Sequence, residues 1–179
     1  MKATGIVRRI DDLGRVVIPK EIRRTMRIRE GEALEIFTSE NGEVVFKKYS
    51  PVGETSEAAA KLCESIWRTT SVAVVVCDRD RIVAAAGPGR RELMERPVSA
   101  ELDRVMSERK TYRMGAGARI EASMERPGHY VLAAVPIISD GDVTGCVAFV
   151  GDETVRLQGD TELKLAGAAA TFLGRQTEV

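Results

Sequence analysis

The segment from Leu13 to Arg24 constrains the fold most strongly, because its predicted secondary structure changes from strand to helix at a single residue, Pro19. Residues 15–18 form a largely β-branched run that is typical of a short strand. Pro19 ends the run, because proline cannot donate to a strand ladder, whereas its fixed φ suits the start of a helix. Residues 20–27 are good helix formers with apolar residues four apart on one face. The segment therefore predicts a strand joined to a helix by a very short corner.

The rest of the first 50 residues predicts three further short strands. Residues 4–10 have a strand-like pattern, and the turn at 11–14 ends in a glycine, which tolerates positive φ. Residues 33–39 and 43–49 form the next two strands, and Asn41-Gly42 between them is a strong hairpin signal. Four short strands and one helix in about 50 residues bury little apolar surface and leave sheet edges open. Pairing of two chains, each completing the sheet of the other, would remove both problems.

Basic residues are concentrated at the N-terminus. Residues 1–29 contain nine Lys and Arg against three Asp and Glu, a net charge of +6, so the neutral chain carries −6 elsewhere. A basic head on an acidic body is typical of a nucleic-acid-binding protein, with an ordinary solvated basic face as the alternative. We expect Arg15, Arg23 and Arg24 to lie close together at the strand-to-helix corner. Within the segment from Leu13 to Arg24, Glu21 is the only acidic residue that we expect near enough to neutralise them.

Long contiguous motifs identify a family for this part of the chain: Thr4–Arg9, Asp12–Pro19, Ile22–Arg24 and Leu34–Ile36. Residues 1 to about 51 closely resemble the AbrB-type swapped-hairpin transcription regulators. The resemblance implies two interleaved hairpins that form one interchain β-barrel, and hence an obligate dimer. It also implies a sequence-selective regulator, activator or repressor, of sporulation-stage gene expression.

Double-stranded DNA is the partner that the basic head and the resemblance together predict. Arginine suits both phosphates and guanine edges, because its guanidinium is planar and bidentate. Regulators of this type are also expected to use DNA shape as well as base contacts. The predicted DNA-contacting residues are Arg8, Arg9, Arg15, Arg23 and Arg24.

A linker is predicted at residues 50–54, where Ser-Pro and Gly interrupt both periodicities and the charge density changes sign. The predicted domains are therefore a DNA-binding domain at 1–53 and a second domain at 54–179. The elements predicted for the second domain are helices at 55–68, 99–109 and 160–176, strands at 72–77, 81–86, 118–124, 130–139 and 143–150, and a loop at 87–97.

This order of elements is similar to that of a GAF domain, in which helices flank an antiparallel sheet of five or six strands. The fold class is therefore α+β, with an AbrB-type head followed by a GAF-like regulatory or oligomerisation domain. The terminal helix carries a small-residue stripe that includes Ala166 and Ala170. The stripe fits packing within one chain or pairing with helices of another chain, and the second interpretation predicts a tetramer. A small-molecule ligand of the GAF-like domain is not identified by any polar cluster.

The sequence predicts no enzyme, no cofactor and no metal site. His129 is the only histidine, and phosphate-binding glycine motifs are missing. Cys63, Cys77 and Cys146 lie beside or within apolar runs, so we expect buried small hydrophobes in a reducing compartment. Thiol catalysis in the GAF-like domain would instead require an exposed thiolate of low pKa.

The expected location is the cytoplasm, in association with the nucleoid, because no apolar run is long enough to cross a membrane and the N-terminus has no signal-peptide core. A second function of a different class is an antitoxin-like or scaffold protein that uses the swapped hairpin to bind protein. Relatives of that kind usually end in a disordered acidic tail, whereas residues 54–179 contain several apolar strands.

Overall fold

The computed structural model describes residues 4–115, 117, 119–157 and 159–177. It divides into two compact units, Met1–Tyr49 and Ser50–Val179, hereafter the N-terminal and C-terminal units. The elements of the N-terminal unit are α1 (Lys20–Thr25), β1 (Leu34–Thr38) and β2 (Val44–Lys48).

The hairpin predicted around Asn41-Gly42 is confirmed. The strands β1 and β2 pair in antiparallel register from Leu34 opposite Lys48 to Thr38 opposite Val44. Gly42 has a φ of 76°, a conformation that glycine adopts without steric cost. The end of the hairpin is tied to the segment after α1, because Lys48 Nζ donates to the Arg27 carbonyl oxygen at 2.6 Å.

The strands predicted at residues 4–10 and 15–18 are not formed, and these residues are irregular in the single chain. Between them, the Asp11 amide donates to the Arg15 carbonyl at 3.0 Å and the Gly14 amide donates to the Asp11 carbonyl at 3.0 Å, which closes the predicted turn. A strand exists only with a hydrogen-bonded neighbour. The described part of this chain pairs no strand with residues 4–10.

Apolar side chains of the N-terminal unit are on the outside. None of residues 4–49 is buried. The large apolar residues that are exposed are Ile6, Val7, Ile10, Leu13, Val16, Val17, Met26, Ile36, Phe37, Val44 and Phe46. One chain alone therefore gives this unit no hydrophobic core.

The C-terminal unit contains two helices before its first strand, and its helices cover both faces of the sheet. Its elements are α2 (Pro51–Glu54), α3 (Ser56–Thr70), β3 (Ala73–Asp78), β4 (Ile82–Ala86), α4 (Arg90–Leu93), α5 (Ala100–Ser107), β5 (Tyr112–Arg113), β6 (Tyr130–Ser139), β7 (Asp142–Gly151) and α6 (Thr161–Gln176). The five strands form an antiparallel sheet in the order β4-β3-β7-β6-β5. The predicted α+β class with an antiparallel sheet is confirmed.

Two hydrophobic clusters lie on opposite faces of this sheet, because alternate residues of a strand point to opposite sides. Val74 and Val76 of β3 pack in the cluster that contains α3 and α6. Val75 of β3 packs in the other cluster, with Leu102 and Met106 of α5. The Ser99 hydroxyl accepts from the Leu102 amide at 3.0 Å, which confirms the predicted N-cap of α5.

The residues predicted as a linker are folded into the C-terminal unit. Ser50 Oγ accepts from the Gly53 amide at 3.0 Å and donates to Asp78 Oδ2 at 2.9 Å. Val52 of α2 is fully buried in the cluster beneath α3. The linker prediction is wrong here because Ser50 caps the short helix α2, and Pro51 suits the first position of that helix.

Two other predictions for the C-terminal unit are also corrected. The predicted loop at 87–97 contains α4, which Gly89 begins with a φ of 81°. The strand predicted at 118–124 is not formed: Ala118 lies outside the described residues, and residues 119–124 contribute only an isolated bridge from Glu121 to Tyr130. The fifth strand is the two-residue β5 instead, which pairs with Ala133 and Ala134 of β6, whereas residues 120–122 meet the same edge only around Tyr130.

The small-residue stripe of α6 packs against its own sheet. Ala166 is fully buried and Ala170 is 3% exposed, in the same cluster as Phe149 of β7. Gly174 brings α6 still closer to the sheet, because a Cβ there would lie 2.2 Å from the Ile138 carbonyl oxygen. Ala166 and Ala170 therefore pack within one chain, whereas Ala168 of the same helix is exposed.

Candidate nucleic-acid interface

The turn before the strand-to-helix corner is organised by one carboxylate. Asp11 Oδ1 accepts from the Leu13 amide at 3.0 Å and from the Arg15 amide at 2.8 Å. Asp11 Oδ2 accepts from Arg15 Nε at 2.8 Å. The hydrogen bond from the Arg15 amide, followed by that from the Arg15 side chain, lowers the pKa of Asp11 below its ordinary value of 3.8.

This contact comes from outside the segment Leu13–Arg24, the range to which the prediction about Glu21 applies. The residue that contacts an arginine is Asp11, four positions before Arg15. The spacing is visible in the sequence, but it brings the two side chains together only once the turn at residues 11–14 is closed.

Arg23 and Arg24 occupy the last turn of α1 and are exposed. Pro19 is the N-cap residue of α1, with φ −58° and ψ 149°, and its carbonyl accepts from the Arg23 amide at 2.9 Å. Positive charge near a helix C-terminus complements the helix dipole. The predicted helix after Pro19 is thus confirmed, and it holds both arginines on a short exposed element.

Arg8 and Arg9 are exposed as well, on the irregular segment before the turn. Arg8 Nη1 donates to the Val7 carbonyl at 3.2 Å. All five predicted DNA-contacting arginines are therefore solvent-exposed in the N-terminal unit. Their cationic groups are available to an anionic polymer such as DNA.

The cysteines of the C-terminal unit are buried, as the sequence predicts. Burial raises the pKa of the Cys63 thiol to about 12. Cys77 Sγ lies 3.1 Å from Cys146 Sγ across the β3–β7 pair, and this hydrogen bond, together with burial, raises the pKa of Cys77. High thiol pKa values and burial give little thiolate for nucleophilic chemistry.

The single histidine, His129, contacts Glu92 and packs over Gly89. His129 Nε2 lies 3.1 Å from Glu92 Oε2, and the imidazole covers Gly89 so closely that a Cβ there would lie 2.5 Å from the ring. Among the described residues, no group of three or more His, Cys, Asp or Glu could hold a metal ion. In the same described ranges, no helix has the length and apolar character needed to cross a membrane.

A shallow groove of about 310 Å³ lies between α3 and the end of β4 in the C-terminal unit. Trp67, Lys61 and Arg90 are among its lining residues. Lys61 Nζ lies 2.7 Å from Glu57 Oε1, so part of the charge of the groove is already paired.

Both units of the chain match known protein families. Residues 54–178 match the family model described as "Stage V sporulation protein T C-terminal, transcription factor". Residues 7–54 match the model described as "Antidote-toxin recognition MazE, bacterial antitoxin". Stage V sporulation protein T of Bacillus subtilis (strain 168) is 42% identical over 182 residues, which cover 99% of each chain.

Two further proteins match one part of the chain each. The transition state regulatory protein AbrB of Bacillus subtilis (strain 168) is 50% identical over 68 residues, covering 35% of this chain and 70% of AbrB. The GAF domain of an Acinetobacter phosphoenolpyruvate-protein phosphotransferase has a TM-score of 0.52 and 10% identity, covering 71% of this chain and 87% of that one. This likeness confirms the GAF fold predicted from the order of elements.

The match over nearly its whole length, together with the AbrB-type motifs of its basic N-terminal unit, shows that the chain belongs to the stage V sporulation protein T family of transcription factors.

Proposed function

We propose that the chain regulates sporulation-stage gene expression by binding duplex DNA through the N-terminal unit, at the nucleoid in the cytoplasm. The observation that carries this proposal is the set of exposed arginines on an AbrB-type unit. The proposed DNA-contacting residues are Arg8, Arg9, Arg15, Arg23 and Arg24. Phosphates supply the salt-dependent part of such binding, and base edges and DNA shape supply the selectivity.

The proposed division of labour assigns DNA binding to residues 1–53 and regulation or assembly to 54–179. The ranges of the two matching family models, 7–54 and 54–178, support a boundary near residue 54. The compact units divide earlier, between Tyr49 and Ser50, because α2 packs with the C-terminal unit. An antitoxin-like role is less well supported, because the model that matches residues 54–178 describes a transcription factor. We propose no enzymatic activity for either unit.

The direct test is selection of duplexes from a random-sequence pool by the purified full chain. We expect enrichment of a limited set of sites and a Kd that rises steeply with salt, because counterions are released from phosphates. Recovery of unenriched DNA with no salt dependence would contradict the proposal. Occupancy mapped across the genome with the same chain would then connect the selected sites to genes.

The N-terminal unit is proposed to form a dimer. Its exposed apolar residues, which include Val7, Val17 and Phe46, have no core within one chain. A second copy would supply strand partners for residues 4–10 and 15–18 and would cover these side chains, as in interleaved hairpins. Each copy therefore completes the sheet of the other, and the fraction of N-terminal units that are folded depends on protein concentration.

A tetramer would follow if the C-terminal units also pair. The small-residue stripe is buried within the chain, so the proposed contact uses the outward faces of α3 and α6. Trp67 of α3 is 37% exposed and Phe172 of α6 is 47% exposed. Exposed aromatic residues are enriched at protein interfaces.

Phe172→Glu is therefore expected to convert the full-length tetramer into a dimer held by the N-terminal units, because a carboxylate replaces an apolar contact. Sedimentation equilibrium checks the mass, and Met124→Glu, at a residue 66% exposed, is the matched control that should stay tetrameric. A folded Phe172→Glu tetramer would show that this face is not the interface. A folded monomer would contradict the proposed N-terminal dimer.

A further inference from the structure

An acidic residue lies within the most basic part of the molecule and directly contacts one of the proposed DNA-contacting arginines. Both carboxylate oxygens of Asp11 are occupied: Oδ1 by the Leu13 and Arg15 amides, and Oδ2 by Arg15 Nε at 2.8 Å. Electrostatics alone would assign Asp11 a negative effect on DNA binding, because its charge repels phosphates.

The geometry of the contact has the opposite consequence for Arg15. A guanidinium has five N–H donors, and one of them, on Nε, is taken by Asp11. The four remaining donors are on Nη1 and Nη2, to which the described part of the chain gives no partner, and 69% of the side chain is exposed. The paired Nη1 and Nη2 edge, which stays free, can bind guanine O6 and N7, or two phosphate oxygens, bidentately.

The contact also orders a long side chain before any DNA is present. A free arginine loses rotamer freedom when it is immobilised at an interface, and this loss opposes binding. Asp11 fixes the backbone of Arg15 through its amide and the guanidinium through Nε. Much of the ordering therefore occurs within the turn itself.

We propose that Asp11 is a positioning residue for DNA recognition: it holds the Arg15 guanidinium so that the Nη1 and Nη2 edge addresses the duplex. This inference rests on the proposed function, in which Arg15 contacts DNA. It predicts that removing one negative charge from the basic unit weakens DNA binding, against the sign that net charge alone would give.

Asp12 provides a matched control in the next position. It is exposed, and the described residues include no hydrogen bond or ion pair to its side chain. Asp11→Asn and Asp12→Asn each remove one carboxylate charge from the same turn. Asparagine at position 11 keeps an oxygen that can accept from the Leu13 and Arg15 amides, so the turn is retained while the charged partner of Nε is lost.

The test measures the affinity of the full chain for a duplex that the wild-type protein selects from a random pool. Asp11→Asn should weaken binding about two- to fivefold, the range that an exposed ion pair supports, and Asp12→Asn should leave binding unchanged or tighten it. Binding of Asp11→Asn as tight as wild type would overturn the inference. Equal weakening by both variants would also overturn it, because the cause would then be the turn as a whole.

A double-mutant cycle separates this inference from the proposed function. In an Arg15→Ala background, Asp11→Asn should cause no further weakening, because Asp11 acts through Arg15. A further loss would overturn the positioning role. If Arg15→Ala itself leaves binding unchanged, the assignment of Arg15 to DNA fails instead.

A measurement on the free protein keeps the inference testable without any variant at position 11. Carbon-13 titration of the carboxylate should give Asp11 a pKa below 3.8, and that pKa should rise in Arg15→Ala. A pKa of Asp11 that does not respond to Arg15→Ala would show that the side chains are not paired in solution, and would overturn the inference.

Discussion

Replacing Arg15 and Arg23 together by alanine is expected to remove most of the selective DNA binding of the full chain. Each arginine that contacts a base bidentately contributes about 1–3 kcal/mol to binding. The two residues come from different elements, the turn at 11–15 and helix α1, so their losses should largely add. The plot of log affinity against log salt should also become shallower, by about one unit for each phosphate that an arginine no longer neutralises.

The measurement is a salt series of binding isotherms for wild type, both single variants and the double variant. Arg68→Ala is the control: its side chain is 73% exposed and pairs with Glu64 at 3.2 Å on α3, so it also removes a surface arginine. We expect this control to bind nearly as wild type. A folded double variant with wild-type affinity would contradict the assignment of these arginines to the DNA interface.

Gly174→Ala is expected to have the largest effect on the stability of the C-terminal unit. The added Cβ would lie 2.2 Å from the Ile138 carbonyl oxygen, a backbone atom that cannot move away without displacing β6. Helix α6 must therefore shift off the sheet, which disturbs the packing of its buried residues. Overpacking of this kind costs about 1–3 kcal/mol and occasionally more.

Gly167→Ala in the same helix is the matched control, because a Cβ at Gly167 meets nothing within 4 Å. Alanine is favoured over glycine inside a helix by roughly 0.5–1 kcal/mol, so this variant should be slightly more stable. Urea unfolding can be followed by the fluorescence of Trp67, the only tryptophan, which lies on α3 of the same unit. Equal midpoints for Gly174→Ala and wild type would show that α6 does not approach β6 so closely.

Local signals in the sequence predict most of the C-terminal unit. Residues 72–77 are a continuous apolar run, and they coincide closely with the interior, fully buried strand β3. The residue type and position of Ser99 predict an N-cap, and its hydroxyl caps α5. Such features succeed because short-range hydrogen bonding and burial determine them.

The errors occur where distant contacts decide the structure. Ser50-Pro51 has the composition of a linker, but its hydrogen bond to Asp78, 28 positions later, places it in a folded unit. The edge strand beside β6 is β5 rather than residues 118–124, because consecutive pairing with β6 occurs at residues 112–113 and only an isolated bridge forms at Glu121. Ala166 and Ala170 of α6 could pack within the chain or against a helix of another chain. Only the position of the sheet shows that these two residues pack within the chain.

The candidate site is predicted by residue type rather than by geometry. The exposed arginines follow from charge and from the family motifs, and their role in DNA contact stays a prediction. The sequence does not reveal the partner of Arg15, because Asp11 has the pattern of a turn residue and its side chain returns to the arginine only in the folded turn.

The lack of any buried residue among residues 4–49 affects how DNA binding varies with the amount of regulator in the cell. If DNA binding requires two chains to fold together, the concentration of competent regulator rises with the square of chain concentration when chains are scarce. About a twofold change in synthesis would then change promoter occupancy nearly fourfold in that regime. A gene controlled by such a protein would respond more than proportionally to expression of the regulator, and no small-molecule signal would be needed to create that response.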